Sequence, residues 1–122
     1  MAIQYESNPL EMRRLYLTQA DGTTSTFIAT VPDNAVLSVC RIHIITPYDA
    51  TGSNLLRLGI NPNGSSLGIN LDVSQPAETI IDRVAEAIKD SPMTADRDMY
   101  ATYSFTGDAP TAGDILIELG WY

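Results

Sequence analysis

His43 is the sole histidine of this 122-residue chain, so a Ser-His-Asp relay or an imidazole general base would have to be built around it. In the run Arg41-Ile-His-Ile-Ile, alternation places His43 on the same strand face as Arg41. The expected role is that of a strand histidine, half exposed or covered at a subunit contact. Cys40 is likewise the sole cysteine, which excludes an intrachain disulfide, a Cys-x-x-Cys motif and a thiolate zinc cage. It runs in phase with Ile42 and Ile44, as a small core residue would. The loop carboxylates Asp49, Asp72, Asp96, Asp98, Asp108 and Asp114 are the raw material of a calcium site, but they lack the spacing of a calcium loop. A glycosidase needs two opposed carboxylates, and no pair among fifteen acids is singled out. The glycine-bearing stretches resemble neither a P-loop nor a dinucleotide fingerprint, and no Gly-x-Ser-x-Gly nucleophile elbow is expected anywhere in the chain. No catalytic residue, metal ligand or cofactor is therefore assigned.

The remaining chemistry is that of contact surfaces. Tyr48 in a loop and Trp121 and Tyr122 at the end of a strand are the aromatic groups from which a sugar-stacking platform or an interface anchor would be built. Arg13 and Arg14 form the sole adjacent basic pair and can meet acidic groups on a partner. Val39, Arg41, His43 and Ile45 share the less uniformly apolar face of the longest strand. These nine residues are the candidate partner or oligomer interface.

Composition narrows the partners. Seven basic against fifteen acidic side chains give a formal charge of −8, which argues against a nucleic-acid groove and against docking on an anionic membrane. No apolar run approaches the roughly 20 residues that span a bilayer, and residues 1 to 12 lack the pattern of a secretion signal. At this length, with 44% hydrophobic residues, a single domain with its own core is expected over 12–122, preceded by a polar arm at 1–11.

The elements that would position these residues are mostly strands, because apolar residues alternate with period two. Residues 12–19 and 25–31 flank Asp21-Gly22 and read as a hairpin. Residues 36–46 form the longest strand, with Val36, Cys40, Ile42 and Ile44 on the core face. Residues 56–60 and 67–73 surround Asn63-Gly64, the strongest hairpin signal present, and 99–105 with 115–121 read as a last hairpin. Short strands at regular intervals predict an antiparallel β-sandwich of jelly-roll-like form. The segment 77–90 departs from this period: Ile80, Ile81, Val84, Ala85 and Ile88 recur at helical spacing, with Ser74 as a cap and Pro92 as a stop. A short helix is expected there, although Thr79, Ile80, Ile81 and Val84 also suit a strand-like connection.

Several of these stretches, namely Arg41-Ile-His-Ile-Ile-Thr-Pro-Tyr-Asp49, Met93-Thr-Ala-Asp96, Tyr100-Ala-Thr-Tyr103 and Thr111-Ala-Gly113, resemble the small β-sandwich structural proteins of tailed phages and prophages. The resemblance spans residues 36 to 121. It implies a non-enzymatic virion component made in the host cytoplasm, most often a homotrimeric decoration (cement) protein that binds the major capsid protein. Neck, head-fibre and tail adaptors are the nearest alternatives, and a carbohydrate-binding module is the alternative from another class. The shared positions are strand and turn residues, so the resemblance implies no catalytic or ligand residue.

Overall fold

The computed structural model describes residues 10–64, 68–82 and 92–122. Within them run eight strands: β1 (Glu11–Thr18), β2 (Thr26–Val31), β3 (Leu37–Thr46), β4 (Asn54–Gly59), β5 (Gly68–Asp72), β6 (Ile80–Asp82), β7 (Arg97–Phe105) and β8 (Asp114–Trp121). They form two four-stranded antiparallel sheets, ordered β1-β8-β3-β6 and β2-β7-β4-β5. The pairs β1 with β8, β2 with β7, β3 with β6 and β4 with β5 nest inside one another, as in a long hairpin rolled over itself. The result is the antiparallel β-sandwich that the alternation predicts.

Period two decides what each sheet buries. From β8, Ile115, Ile117, Leu119 and Trp121 point inward, and from β3 come Leu37, Cys40, Ile42 and Ile44. Val31, Leu56, Leu58, Met99 and Ala101 of the other sheet meet them in one continuous core. Each fully buried aliphatic side chain contributes about 1.5–3 kcal/mol against the entropy of ordering the backbone, so this core, with the backbone ladders, holds the sandwich closed.

Four expectations need correction. Segments 12–19 and 25–31 are not a hairpin: β1 and β2 lie in different sheets, each paired to a late strand. A two-residue turn would have kept them together, but a 3-10 turn at Gln19–Asp21 widens the connection. There Asp21 accepts the Thr18 N–H at 2.7 Å, and the chain arches across the sandwich. The same holds for 99–105 and 115–121, whose long joining loop carries the chain from one sheet to the other. Val36 does not occupy the core face of β3. A bulge between Leu37 and Val39 shifts the phase by one residue, so Leu37 takes the buried place. Finally, the start of the expected helix is a strand: Ile80, Ile81 and Asp82 pair with His43, Ile42 and Arg41. Residues 83–90 of that segment and residues 1–9 of the expected arm lie outside the described residues, while Glu11 already belongs to β1.

Candidate functional site

The outward face of sheet β1-β8-β3-β6 collects most of the candidate residues. Antiparallel register sets Arg14 of β1 opposite Glu118 of β8, with Arg41 of β3 on its other side and Asp82 of β6 beyond. In the next row Tyr16, Leu116, His43 and Ile80 stand side by side. In the row on the opposite flank, Met12 and Val39 close over Gly120, where a β-carbon would come within 2.5 Å of the Met12 sulfur and 3.0 Å of Val39 Cβ. A polar row thus lies between two apolar ones.

Glu118 is the centre of the polar row and is only 5% exposed. Burying a carboxylate is costly unless its charge is met, and three groups meet it. Arg14 Nε donates to Oε2 at 2.9 Å, His43 Nε2 is hydrogen-bonded to Oε1, and Arg41 Nη2 lies 3.7 Å from Oε1. Burial, the largest single influence, pushes the Glu118 carboxyl up. The hydrogen bonds from His43 and Arg14 and the charges of His43 and Arg41 outweigh it and hold the group below its ordinary value. Beside this cluster stand exposed apolar side chains of the next row: Tyr16 is 61% exposed and Ile80 56%.

The other candidates separate. Arg13 faces the opposite way from Arg14, as neighbours on a strand must. Its guanidinium lies 5.4 Å from the Trp121 ring centroid and pairs with Glu11 at 3.3 Å. Trp121 is itself buried within the chain, whereas Tyr122 is exposed and exchanges backbone hydrogen bonds with Val36. Tyr48 offers no surface to a partner or a sugar. It is 1% exposed, with its ring 4.3 Å from that of Tyr103.

Tyr48 instead belongs to a knot of the motif residues. Asp49 accepts hydrogen bonds from the Thr111 N–H at 2.7 Å, the Thr111 hydroxyl at 2.9 Å and the Ala112 N–H at 3.0 Å. The two amide bonds and the hydroxyl bond favour the carboxylate form, with the Ala112 N–H the largest influence, and lower its pKa. Tyr103 donates to the Oδ1 of buried Asn54 at 2.6 Å, and Asn54 closes the turn by bonding both the N–H and the carbonyl of Ala50. The Thr-Pro-Tyr-Asp, Tyr-Ala-Thr-Tyr and Thr-Ala-Gly stretches therefore meet in space to fasten the loops at one end of the sandwich. Their chemistry is structural.

Cys40 lies in the core with no exposed surface, and burial pushes its thiol up to about 12, with a smaller push from Asp82. A thiol so held is unreactive at neutral pH. No group of three or more His, Cys, Asp or Glu that could hold a metal ion occurs among the described residues. Contrary to the expectation of no Gly-x-Ser-x-Gly stretch, Gly64-Ser-Ser-Leu-Gly68 has the spacing of a nucleophile elbow. Gly68 opens β5 of the β4–β5 hairpin and not a helix, and residues 65–67 lie outside the described residues. Glu118 and Asn54 were also missed. The signal for Glu118 was a lone carboxylate in the otherwise apolar strand Ile115-Leu-Ile-Glu-Leu-Gly-Trp121.

With this geometry in view, comparison with known proteins gives a consistent fold. No family model and no curated protein matches the sequence. Solved structures do match. A chain of the cyanophage Pam1 capsid asymmetric unit superposes with a TM-score of 0.70 at 10% identity, covering 100% of this chain and 93% of that one. A chain from the acid-stable capsid of Helicobacter pylori bacteriophage KHP30 gives 0.67 at 11% identity, covering 94% and 89%. A chain from the capsid of Ralstonia phage GP4 gives 0.62 at 15% identity, covering 99% and 89%. All three come from phage capsid structures, and at these identities what is shared is the fold.

Proposed function

We propose that this chain is a non-enzymatic structural protein of a tailed-phage virion, acting as a trimeric decoration protein that binds the major capsid protein and stabilises the shell. The observation that carries the reading is the end-to-end match of one compact sandwich with chains of three different phage capsids, with about nine-tenths or more of each chain covered. Two features support it. The motif residues that resemble phage sandwich proteins fasten loops and leave no catalytic constellation among the described residues. The two outer faces also differ in character: one carries the Glu118 cluster and its apolar flanks, while the other carries Thr30, Arg57, Asp98 and Ser104 together with the packed aromatic pair Phe27 and Tyr100. A protein that attaches by one side and meets solvent with the other is built this way.

A charge of −8 keeps unassembled subunits apart in solution, and many weak identical contacts then add on a shell. Light scattering on the purified protein tests the trimer, with three times the 13.3 kDa chain mass as the expected result. Co-sedimentation with expanded shells of the phage that encodes it tests the partner. Saturation at many copies per shell supports decoration, whereas a few copies confined to one vertex would make it a neck, fibre or tail adaptor.

A further inference from the structure

Backbone geometry dictates the pair Asn63-Gly64 in the connection between β4 and β5. Asn63 sits at φ 61°, a left-handed conformation that asparagine tolerates better than most residues. Gly64 donates its N–H to the Asn61 carbonyl at 2.8 Å, and a β-carbon on Gly64 would lie 2.8 Å from that same oxygen. The turn therefore selects an asparagine followed by a residue without a side chain. This is the pair in which a backbone nitrogen reaches the preceding side-chain amide with least steric hindrance. Asn63 is also exposed, so water and base have access to it.

The other five asparagines are differently placed. Asn8 and Asn61 precede proline, whose nitrogen carries no proton to lose. Asn34, Asn54 and Asn70 precede Ala35, Leu55 and Leu71, whose side chains crowd the attacking nitrogen, and buried Asn54 is further held by Ala50. Asp21-Gly22 has the same spacing, but its carboxylate is bonded by the Thr18 N–H and hydroxyl, and a carboxylate carbon is a poor electrophile.

A second set of contacts restrains Asn63. Its N–H donates to Ser25 Oγ at 2.8 Å, and that hydroxyl donates to Asn63 Oδ1 at 3.2 Å and lies 2.8 Å from Thr102 Oγ1. These bonds tie the turn to the residue before β2 and to β7. With the Gly64 N–H bond to Asn61, they must open before the Gly64 nitrogen can swing onto the Asn63 side chain.

We propose that Asn63 is a site of spontaneous deamidation, slowed in the folded chain by its contact with Ser25. The Gly64 nitrogen gives its proton to solvent base and bonds to Asn63 Cγ, the Cγ–Nδ2 bond breaks, and the side-chain nitrogen leaves as ammonia. Water then opens the cyclic imide at either carbonyl, giving aspartate or isoaspartate without change of oxidation state. Each conversion adds one negative charge to a chain of net charge −8, beside the groove where Asn61 and Pro62 meet Asp96 and Asp98. The isoaspartate product also lengthens the main chain of the turn.

The test ages the whole chain in mildly alkaline buffer, folded and in parallel unfolded in guanidinium chloride, and follows amide-to-acid conversion by peptide mass mapping. Conversion is expected at Asn63 ahead of every other asparagine, as aspartate and isoaspartate resolved by chromatography, and several times slower in the folded chain than in the unfolded one. Ser25→Ala, verified as folded by circular dichroism, is expected to convert several times faster than the folded parent. Thr102→Val, which removes the hydroxyl beside Ser25 and keeps the side-chain shape, stands in for it if Ser25→Ala does not fold. Asn63→Gly tolerates the positive φ and is expected to show no conversion in the turn. A folded parent that stays unconverted while the unfolded chain converts fully overturns the site, as does first conversion at another asparagine. Equal rates in the folded and unfolded parent, or in the folded parent and the folded variant, overturn the restraint by Ser25.

Discussion

The ring of Tyr48 occupies the space that a β-carbon at position 113 would need: an atom placed there would lie 2.6 Å from two ring carbons. Tyr103 packs against the same ring at a centroid distance of 4.3 Å, tilted by 35°, and limits its room to move. Gly113→Ala is therefore an overpacking change at the point where the two crossing loops touch, and we expect a loss of about 1–3 kcal/mol. Urea unfolding of the variant checks this, with a lower midpoint and an unchanged slope as the expected result.

The two tyrosines of the stack make a matched pair of opposite sign. Tyr103 donates to Asn54 in the buried turn, so Tyr103→Phe removes a satisfied bond and costs about 1 kcal/mol. The Tyr48 hydroxyl is buried with no hydrogen-bond partner among the described residues. Tyr48→Phe removes a desolvated, unpaired group and leaves stability unchanged or raised by up to about 1 kcal/mol. Denaturant midpoints measured side by side distinguish the two, and equal losses would refute this account of the stack.

Much of this architecture was legible because alternation reports which face a residue occupies. Cys40, Ile42 and Ile44 could be assigned to the core, and Arg41 and His43 to the other face, from spacing alone. What alternation does not report is the partner strand. Asp21-Gly22 read as a hairpin turn, yet the Asp21 carboxylate caps the Thr18 N–H and the connection crosses between sheets. The bulge that moved Leu37 inward is equally silent, since one extra residue leaves composition unchanged. For the candidate surface, the β3 residues were readable, but Arg14 and Glu118 join them only through pairing over a separation of 104 positions. Tyr48 misled because its loop position suggested exposure, whereas Tyr103, distant in sequence, covers it.

Glu118 makes stability depend on pH in the acid range. Its carboxyl titrates below the ordinary 4.5 in the folded chain, so the unfolded state takes up its proton first as pH falls. The stabilisation is fully present above about pH 4.5 and is lost as pH drops through the lowered folded value. Glu118→Gln cannot titrate, and we expect its unfolding midpoint to vary less with acid pH than that of the parent. At neutral pH the variant is less stable, since Arg14, Arg41 and His43 lose their counter-charge. Midpoints collected between pH 3 and 7 for both proteins provide the comparison, and parallel curves would show that the cluster does not govern the acid limb.

Cys40 predicts the alkaline limb by the reverse logic. Burial raises its thiol from 9.0 to about 12, so the unfolded chain loses this proton first as pH rises. The stabilisation associated with the neutral thiol is complete below pH 9.0 and declines as pH climbs toward about 12. The same burial denies reagents access, so a thiol-specific disulfide reagent at pH 8 should modify Cys40 only as fast as the chain opens. Adding urea short of the unfolding midpoint should then accelerate labelling in step with the unfolded population. Labelling that is rapid in native buffer and indifferent to urea would mean that β3 does not hold Cys40 against the core, and the stacking of the two sheets described above would have to be redrawn.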